Sequence, residues 1–170
     1  TKETVNITPD SVVENLDAIK TDLKAALRPE PVGSFLGGYP GLYYHYKAQR
    51  EKPGFLNKFL NKKFGKEPVY DTDIETYEME QILLNRLENK GFFYSTVSSE
   101  IVRDTSSKEA EAIYSLRLTK PYRLKTYQLD TDTLPVYAKI QNSMNETLLK
   151  KDMPFNLSAM KAERERIDTY

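Results

Sequence analysis

Apolar residues near the start of the chain recur at the spacing of a helix. Five of them follow one another at intervals of three or four: Val12, Leu16, Ile19, Leu23 and Leu27. This pattern predicts an amphipathic helix with one side facing a core. Thr8 or Asp10 is predicted to cap it, with Pro9 in its first turn. Residues 4–7 before it are predicted to close a short strand.

Glycine and proline are concentrated in the next segment, from residue 28 to about 71. No regular helix or strand is predicted there before Gly54, and loops of that length are uncommon in compact domains unless they are functional or mobile. Apolar residues then return at helical spacing, with lysines largely between them. They are Phe55, Leu56, Phe59, Leu60 and Phe64, with Lys58, Lys62 and Lys63. The segment between Gly54 and Gly65 is predicted to be a short, basic amphipathic helix.

A second long helix and a hairpin are predicted after this segment. Apolar positions between Ile74 and Leu87 predict the helix, with Thr72 or Asp73 as its cap and Gly91 as the left-handed residue after its end. A strand from 93 to 103, a polar turn and a strand from 109 to 119 follow. The second strand alternates, with one apolar face formed by Ala112, Tyr114, Leu116 and Leu118. The two strands are predicted to pair in antiparallel fashion.

The order of elements restarts after Pro121. A strand is predicted at 122–129 and a helix from Pro135, on the apolar positions Val136, Ile140, Met144 and Leu148. A fourth helix is predicted to start at the cap Asn156, with a hydrophobic staple between Phe155 and Met160. The run of alternating charges at 163–166 is predicted to form a solvated face with local ion pairs.

Composition limits the chemistry available to the 170 residues. There is no cysteine, which excludes disulfides, a thiol nucleophile and cysteine-ligated zinc. No run of 18 apolar residues is present. The single histidine, His45, has no acidic residue within several positions, so a catalytic triad would need distant partners. Asp71, Asp73 and Glu75 have the spacing of calcium ligands but lack the glycine and distal glutamate of an EF-hand. No catalytic residue, metal ligand or cofactor is predicted.

The order strand, helix, helix, strand, strand is that of POTRA domains, the polypeptide-transport-associated modules of outer-membrane assembly proteins. The stretch 65–69 (GKEPV), an acidic helix and the exit 89–93 (NKGFF) resemble an ordinary POTRA segment. The stretch 150–167 (KKDMPFNLSAMKAERERI) is similar to the two-helix part of a following one. Nearly the whole chain therefore resembles the POTRA arm of BamA/TamA-like (TamL-type) outer-membrane assembly proteins of Bacteroidetes.

The resemblance implies an α+β fold built from POTRA-like β-α-α-β-β units, each with two helices packed on a three-stranded mixed sheet. Residues 1–119 would form one such domain, with an insertion at about 28–71. Residues 120–170 would form an incomplete second unit of a strand and two helices. The missing hairpin and a sixteen-stranded membrane barrel of the same polypeptide would lie outside this chain.

The function that the resemblance implies is a non-enzymatic periplasmic scaffold attached to the outer membrane through that barrel. Its clients would be unfolded outer-membrane proteins or assembly accessory proteins, paired to the open edge of the sheet by strand addition. The residues predicted to carry this contact lie on the strand after the second helix. They are Phe93, Ser95, Val97, Ser99 and Ile101.

The basic insertion offers an alternative function, that of a membrane-peripheral adaptor. Its predicted contact residues are Phe55, Lys58, Phe59, Lys62 and Lys63. Three interpretations stay open from sequence: its apolar residues pack on their own domain, or the helix binds an anionic membrane surface, or it docks an acidic partner protein. Nucleic acid is disfavoured as a partner, because the whole chain has a formal net charge of +0.

Overall fold

The computed structural model describes residues 2–30, 32–33, 35–36, 38–107, 109–130 and 133–170. Within these residues, three strands and six α-helices form the regular structure. They are β1 (Lys2–Pro9), α1 (Leu16–Lys24), α2 (Pro40–Ala48), α3 (Phe55–Phe64), α4 (Thr76–Glu88), β2 (Thr96–Asp104), β3 (Glu109–Leu118), α5 (Pro135–Asn142) and α6 (Leu157–Ile167). Two short 3-10 turns lie at Asp71–Asp73 and Met144–Glu146.

The three strands form one mixed sheet in the order β1-β3-β2. The central strand β3 is parallel to β1, with Val5 opposite Tyr114, and antiparallel to β2, with Val97 opposite Leu116. The predicted hairpin is therefore confirmed. The predicted α+β class, with helices packed on a three-stranded mixed sheet, is confirmed as well.

The main core lies between the sheet and the helices α1 and α4. The apolar face predicted for β3 is buried: Ala112, Tyr114, Leu116 and Leu118. Ile19 and Leu23 of α1 and Met79, Leu83 and Leu87 of α4 cover that face, together with Val5 of β1 and Phe92. The Tyr114 hydroxyl lies 3.4 Å from the Glu3 carboxylate, and burial raises the pKa of Tyr114 above its ordinary value. It is therefore a hydrogen-bond donor to Glu3.

Both long helices begin later than their sequence predicts. Pro9 is the last residue of β1, and the N–H of Asp10 donates to the Leu118 carbonyl, so the predicted cap at Thr8 or Asp10 is wrong. Strand pairing of β1 with β3 continues through Pro9. Val12 therefore lies in the loop between β1 and α1, where it is 98% exposed. Helix α4 starts at Thr76 rather than after Thr72 or Asp73, since those residues form a 3-10 turn in which Asp73 accepts a hydrogen bond from Tyr70.

Helix α2 is not predicted by the sequence pattern, and its pairing with α3 explains why it forms. Three tyrosines and Gly41 give it no apolar period, although Pro40 at its first turn is a start signal. Gly41 allows a close approach, because a Cβ there would lie 2.9 Å from Cβ of Lys66. The Lys66 N–H donates to the Gly41 carbonyl (3.1 Å), and the rings of Tyr44 and Phe64 are 6.3 Å apart. α3 has the predicted bounds.

The strand predicted at 122–129 is wrong. The segment is extended, but among the described residues it forms a single isolated β-bridge, between Arg123 and Pro154. The N–H groups of Leu124 and Asp152 donate hydrogen bonds to the carbonyls of Met153 and Leu124, respectively. A strand needs a hydrogen-bonded neighbour along its length, and the residues described around this segment are helices and turns.

Gly91 lies at the junction between the first sheet and the later helices. Its φ of +89° is the left-handed conformation predicted from sequence. Its carbonyl accepts from the Tyr122 N–H, and the Tyr122 carbonyl accepts from the Phe155 N–H, each at 2.9 Å. The ring of Phe93 packs edge-on against Tyr122 (5.3 Å) and Phe155 (5.0 Å). We call Gly91, Phe93, Tyr122 and Phe155 the aromatic junction.

The helices after the junction depend on a buried carboxylate. Asn156 caps α6 as predicted, accepting from the Ala159 N–H. Glu163, however, is 2% exposed, so the predicted solvated face is wrong at this residue. Its carboxylate accepts from the Arg166 guanidinium (2.8 and 3.1 Å), the Leu148 N–H (2.9 Å) and the Thr147 hydroxyl (2.8 Å). Few apolar side chains in this part are buried, namely Ile140 and Leu149.

The variant Gly91→Ala is expected to lower the free energy of unfolding by about 2 kcal/mol, because the left-handed conformation strains any side chain. The added Cβ would also lie 2.8 Å from Cβ of Phe155. Urea unfolding measures the loss. Gly33→Ala is the control, since a Cβ there meets no heavy atom within 4 Å. Equal loss in both variants would contradict the role assigned to the junction.

The variant Glu163→Gln is expected to destabilise the α5–α6 region by about 3 kcal/mol, since it leaves Arg166 partly buried and unpaired. The Arg166 guanidinium holds the pKa of Glu163 at about 2, helped by the Leu148 and Thr147 hydrogen bonds. A carboxyl with a lowered folded-state pKa stabilises the fold above its unfolded pKa, about 4.3, and loses that stabilisation as pH falls towards 2.

Hydrogen exchange of residues 157–167 between pH 5 and pH 2 measures this dependence. The natural chain is expected to lose protection across that window, and Glu163→Gln is expected to change less. Glu165→Gln, on the exposed side of α6, is the matched control. If Glu165→Gln shows the same reduced pH dependence as Glu163→Gln, the assignment of the acid sensitivity to Glu163 is refuted.

Candidate interaction edge of the sheet

Strand β2 is an edge strand of the sheet. Its inner side pairs with β3 from Thr96 to Asp104, and no other described strand pairs with its outer side. At about 3.3 Å per residue, its nine residues span roughly 30 Å. The outer side therefore presents a row of main-chain N–H and C=O groups.

Side chains of β2 alternate between solvent and core. Thr96, Ser98 and Glu100 are exposed. Val97 and Ile101 pack against the core under α4, and the Ser99 hydroxyl donates to the Glu80 carboxylate of α4 at 2.5 Å. The inward side chains thus hold the strand on α4. Of the residues predicted to contact a client, Val97, Ser99 and Ile101 lie on the edge strand and can offer it main-chain groups.

Phe93 and Ser95 do not belong to this edge. The strand begins at Thr96, because the chain first turns at Gly91 and the Ser95 N–H donates back to the Phe92 carbonyl. Ser95 is 8% exposed, and its hydroxyl accepts from the Thr119 N–H at 3.2 Å. Phe93 lies in the aromatic junction. Both residues anchor the start of the strand instead.

The far end of β2 is also held. Arg103 makes a 2.6 Å ion pair with Asp71 at the end of the insertion, and this pairing lowers the pKa of Asp71. In the hairpin turn, Asp104 accepts from the hydroxyls of Ser106 (2.6 Å) and Ser107 (2.9 Å). These bonds, with those from the two backbone N–H groups, lower the pKa of Asp104 to about 2. The edge is therefore fixed at both ends and backed by a helix.

The other edge of the sheet is β1. It lies beside the start of the insertion. Burial raises the pKa of Glu3 on this strand, and the nearby positive charge of Arg28 opposes that rise. Lys2 at its start pairs with Glu109 (3.3 Å), and Thr4 donates to Glu111. Both bonds tie β1 to β3. The geometry thus offers two edges, and only β2 has α4 packed directly behind it.

A groove of about 550 Å³ separates the insertion from the hairpin. Its walls carry tyrosines of the insertion and charged residues of the sheet, namely Tyr39, Tyr46, Tyr70, Lys2, Arg103 and Glu109. The Tyr39 hydroxyl lies 3.4 Å from the Glu109 carboxylate. The ion pairs Arg103–Asp71 and Lys2–Glu109 neutralise its charges internally. The groove therefore joins the insertion to the sheet, and most of its charged side chains are paired across it.

The basic insertion residues lie apart from the β2 edge. Phe55 is 85% exposed and contacts little of its own domain, whereas Phe59 is 52% exposed and about half covered. Lys58, Lys62 and Lys63 are exposed on the same helix α3. The contact residues predicted for the insertion are therefore all on one accessible helix.

The residues considered for catalysis or metal binding are dispersed. His45 is on α2, with its Nε2 atom 2.8 Å from Nε2 of Gln49. Asp71 and Asp73 are engaged with Arg103 and the Tyr70 N–H. Among the described residues, no group of three or more His, Cys, Asp or Glu side chains is placed to hold a metal ion. Nor does any described helix combine the length and apolar character that crossing a membrane requires.

Comparisons with known proteins find few similarities. No protein-family model matches the chain, and no curated protein matches it. Among solved structures, it is similar to the crystal structure of Haemophilus influenzae BamA POTRA3-5, at 12% sequence identity and a TM-score of 0.39. The similarity covers 99% of this chain and 49% of the other, so this chain spans about half the length of that structure. A likeness of this degree carries no functional conclusion.

Proposed function

We propose that the protein is a non-enzymatic interaction scaffold that captures extended polypeptide segments on the outer edge of β2. The observation that supports this most is the unpaired outer side of a nine-residue strand that is anchored at both ends. A rigid edge of this kind is a ready template for an added strand. Val97, Ser99 and Ile101 would contribute main-chain groups, and Phe93 and Ser95 would support the strand.

The expected affinity follows from the number of main-chain groups. About four N–H and four C=O groups of the strand face outward, since neighbouring residues alternate in direction. At about 1 kcal/mol net for each hydrogen bond, they offset an association cost of about 4 kcal/mol or more. The main chain alone then gives a Kd of roughly 1 mM. Such weak binding suits a scaffold that holds a segment briefly and releases it.

The polar face of β2 supports selective rather than indiscriminate pairing. Thr96, Ser98 and Glu100 point to solvent, and charged residues end the strand at Arg103 and Asp104. Polar and charged side chains of this type limit edge-to-edge aggregation. An incoming segment with alternating polar residues would pair with this face, whereas a wholly apolar one would gain little.

The proposed clients are unfolded outer-membrane proteins or accessory proteins of their assembly, and the proposed location is the periplasm. In this proposal the chain is part of the POTRA arm of a TamL-type protein of Bacteroidetes, anchored by a membrane barrel beyond it. Residues 1–119 would be one POTRA-like domain and residues 120–170 part of a second. These statements rest on the sequence motifs at 65–69 and 89–93 and on the element order.

Proline substitution tests the edge. Consecutive N–H groups of β2 point alternately to β3 and outward. The Asp10 N–H donates to the Leu118 carbonyl, so Leu118 faces β1. Its neighbour Arg117 therefore faces its β2 partner Thr96.

Val97→Pro therefore removes an outward donor, whereas Ser98→Pro cuts the internal ladder. The probe is a ten-residue peptide with the alternating pattern of a membrane β-strand. The proline variant whose spectrum remains that of the folded protein is expected to bind this peptide about fivefold more weakly, or weaker still. An NMR titration measures the Kd.

The matched comparison is the pair Asn6→Pro and Ile7→Pro on the opposite edge, β1. Peptide-induced amide shifts are expected along residues 96–104 and not along 2–9. A peptide with proline at alternate positions controls for side-chain binding. If the folded β2 variant binds the peptide as the natural chain does, strand addition at β2 is refuted.

A further inference from the structure

We propose that helix α3 binds an anionic membrane surface, with Phe55 and Phe59 entering the headgroup region. This goes beyond the proposed capture of polypeptides, because α3 shares no residue with β2. It would give the protein a second, lipid-facing contact in addition to its polypeptide-binding edge.

Three large apolar side chains stand exposed within little more than one turn of α3. Phe55 is 85%, Leu56 66% and Phe59 52% exposed. Single exposed apolar residues are ordinary on soluble proteins, whereas neighbouring ones form a patch that marks a contact surface. The patch lies on one helix and therefore has a fixed shape.

Lysines flank this patch on both sides. With 3.6 residues per turn, Phe55 and Phe59 form a ridge along the helix. Lys58 and Lys62 lie along one side of the ridge, and Lys63 lies on the other, about two turns after Leu56. Lysine stems can follow an apolar layer while their ammonium groups stay at its charged boundary. The face is therefore suited to a surface that is anionic outside and apolar just beneath.

The opposite side of α3 holds the helix in place. Asn57, Leu60 and Asn61 are half-buried on that side. The ring contact between Phe64 and Tyr44, and the hydrogen bond from Lys66 to Gly41, fasten α3 to α2. Because the helix is already formed, binding does not have to order it.

Charge complementarity selects the class of partner. Between Lys47 and Lys66 there are seven Lys and Arg against one Glu, in a chain whose formal net charge is +0. α3 itself contains no acidic residue. An acidic protein would also need a groove to receive a protruding phenylalanine ridge. An anionic bilayer provides negative charge and a shallow apolar layer on any flat area, so the ridge favours lipid.

A tryptophan reporter tests insertion directly, because the chain contains no natural Trp. In Phe55→Trp, vesicles of equimolar phosphatidylglycerol and phosphatidylcholine are expected to shift the emission to the blue, and brominated acyl chains are expected to quench it. Tyr77→Trp, on the exposed side of α4, is the control and is expected to show neither effect. Unchanged emission of the Phe55→Trp variant on vesicle binding would overturn the proposal.

Charge-removal variants test the electrostatic part. Each lysine near an anionic surface strengthens binding about fivefold, so removing the charges of Lys58, Lys62 and Lys63 together is expected to weaken vesicle binding on the order of a hundredfold. The control variant changes three exposed residues outside the insertion to glutamine: Lys139, Lys150 and Lys151. Equal weakening in both triple variants would contradict a specific site on α3.

Two further measurements separate lipid from an acidic protein. Phe59→Ser is expected to weaken vesicle binding about tenfold while leaving binding to polyglutamate unchanged. Vesicles of phosphatidylcholine alone are expected to bind far less. Binding to polyglutamate without binding to anionic vesicles would overturn the proposal in favour of an acidic protein. Loss of peptide capture by the β2 proline variants leaves this result unaffected.

Discussion

The left-handed turn at Gly91 is the constraint on which the described structure depends most. It ends α4, directs the chain into β2 and places its carbonyl against the Tyr122 N–H. A side chain at this position would meet Phe155, so only glycine permits the approach. Because the Tyr122 carbonyl then accepts from Phe155, one turn joins the sheet to the helices that follow it.

The same constraint determines how the sheet edge is presented. Phe93 is drawn into the aromatic junction, and Ser95 is buried beneath Thr119, so β2 begins from a fixed point. The Arg103–Asp71 pair holds its other end. An edge strand free at either end would fray, and fraying would raise the entropic cost of adding a partner strand. The anchors thus make the outer side of β2 a better template.

The two parts of the chain are stabilised by different means. The sheet with α1 and α4 buries a continuous apolar core, in which Tyr114, Leu23, Leu83 and Leu87 are fully enclosed. The α5–α6 region buries few apolar side chains and gains order from the hydrogen bonds of Glu163. Such a network depends on the charge of one carboxylate, so this region is expected to lose order before the sheet as pH falls. The α2–α3 hairpin packs mainly on itself and keeps an apolar ridge exposed.

Sequence periodicity alone determined the hairpin β2–β3, the central burial of β3, helix α3 and the left-handed Gly91, because these depend on local patterns of apolar residues and glycine. The later start of α1 and α4, helix α2 and the lack of a strand at 122–129 were decided only by tertiary structure, since each depends on a partner distant in sequence. Likewise, alternating charges predicted a solvated Glu163, but the distant Leu148 and Thr147 bury it. The edge strand could be predicted, whereas its first residue could not: Phe93 and Ser95 continue the strand pattern, and only the packing of Phe155, Tyr122 and Thr119 removes them from it.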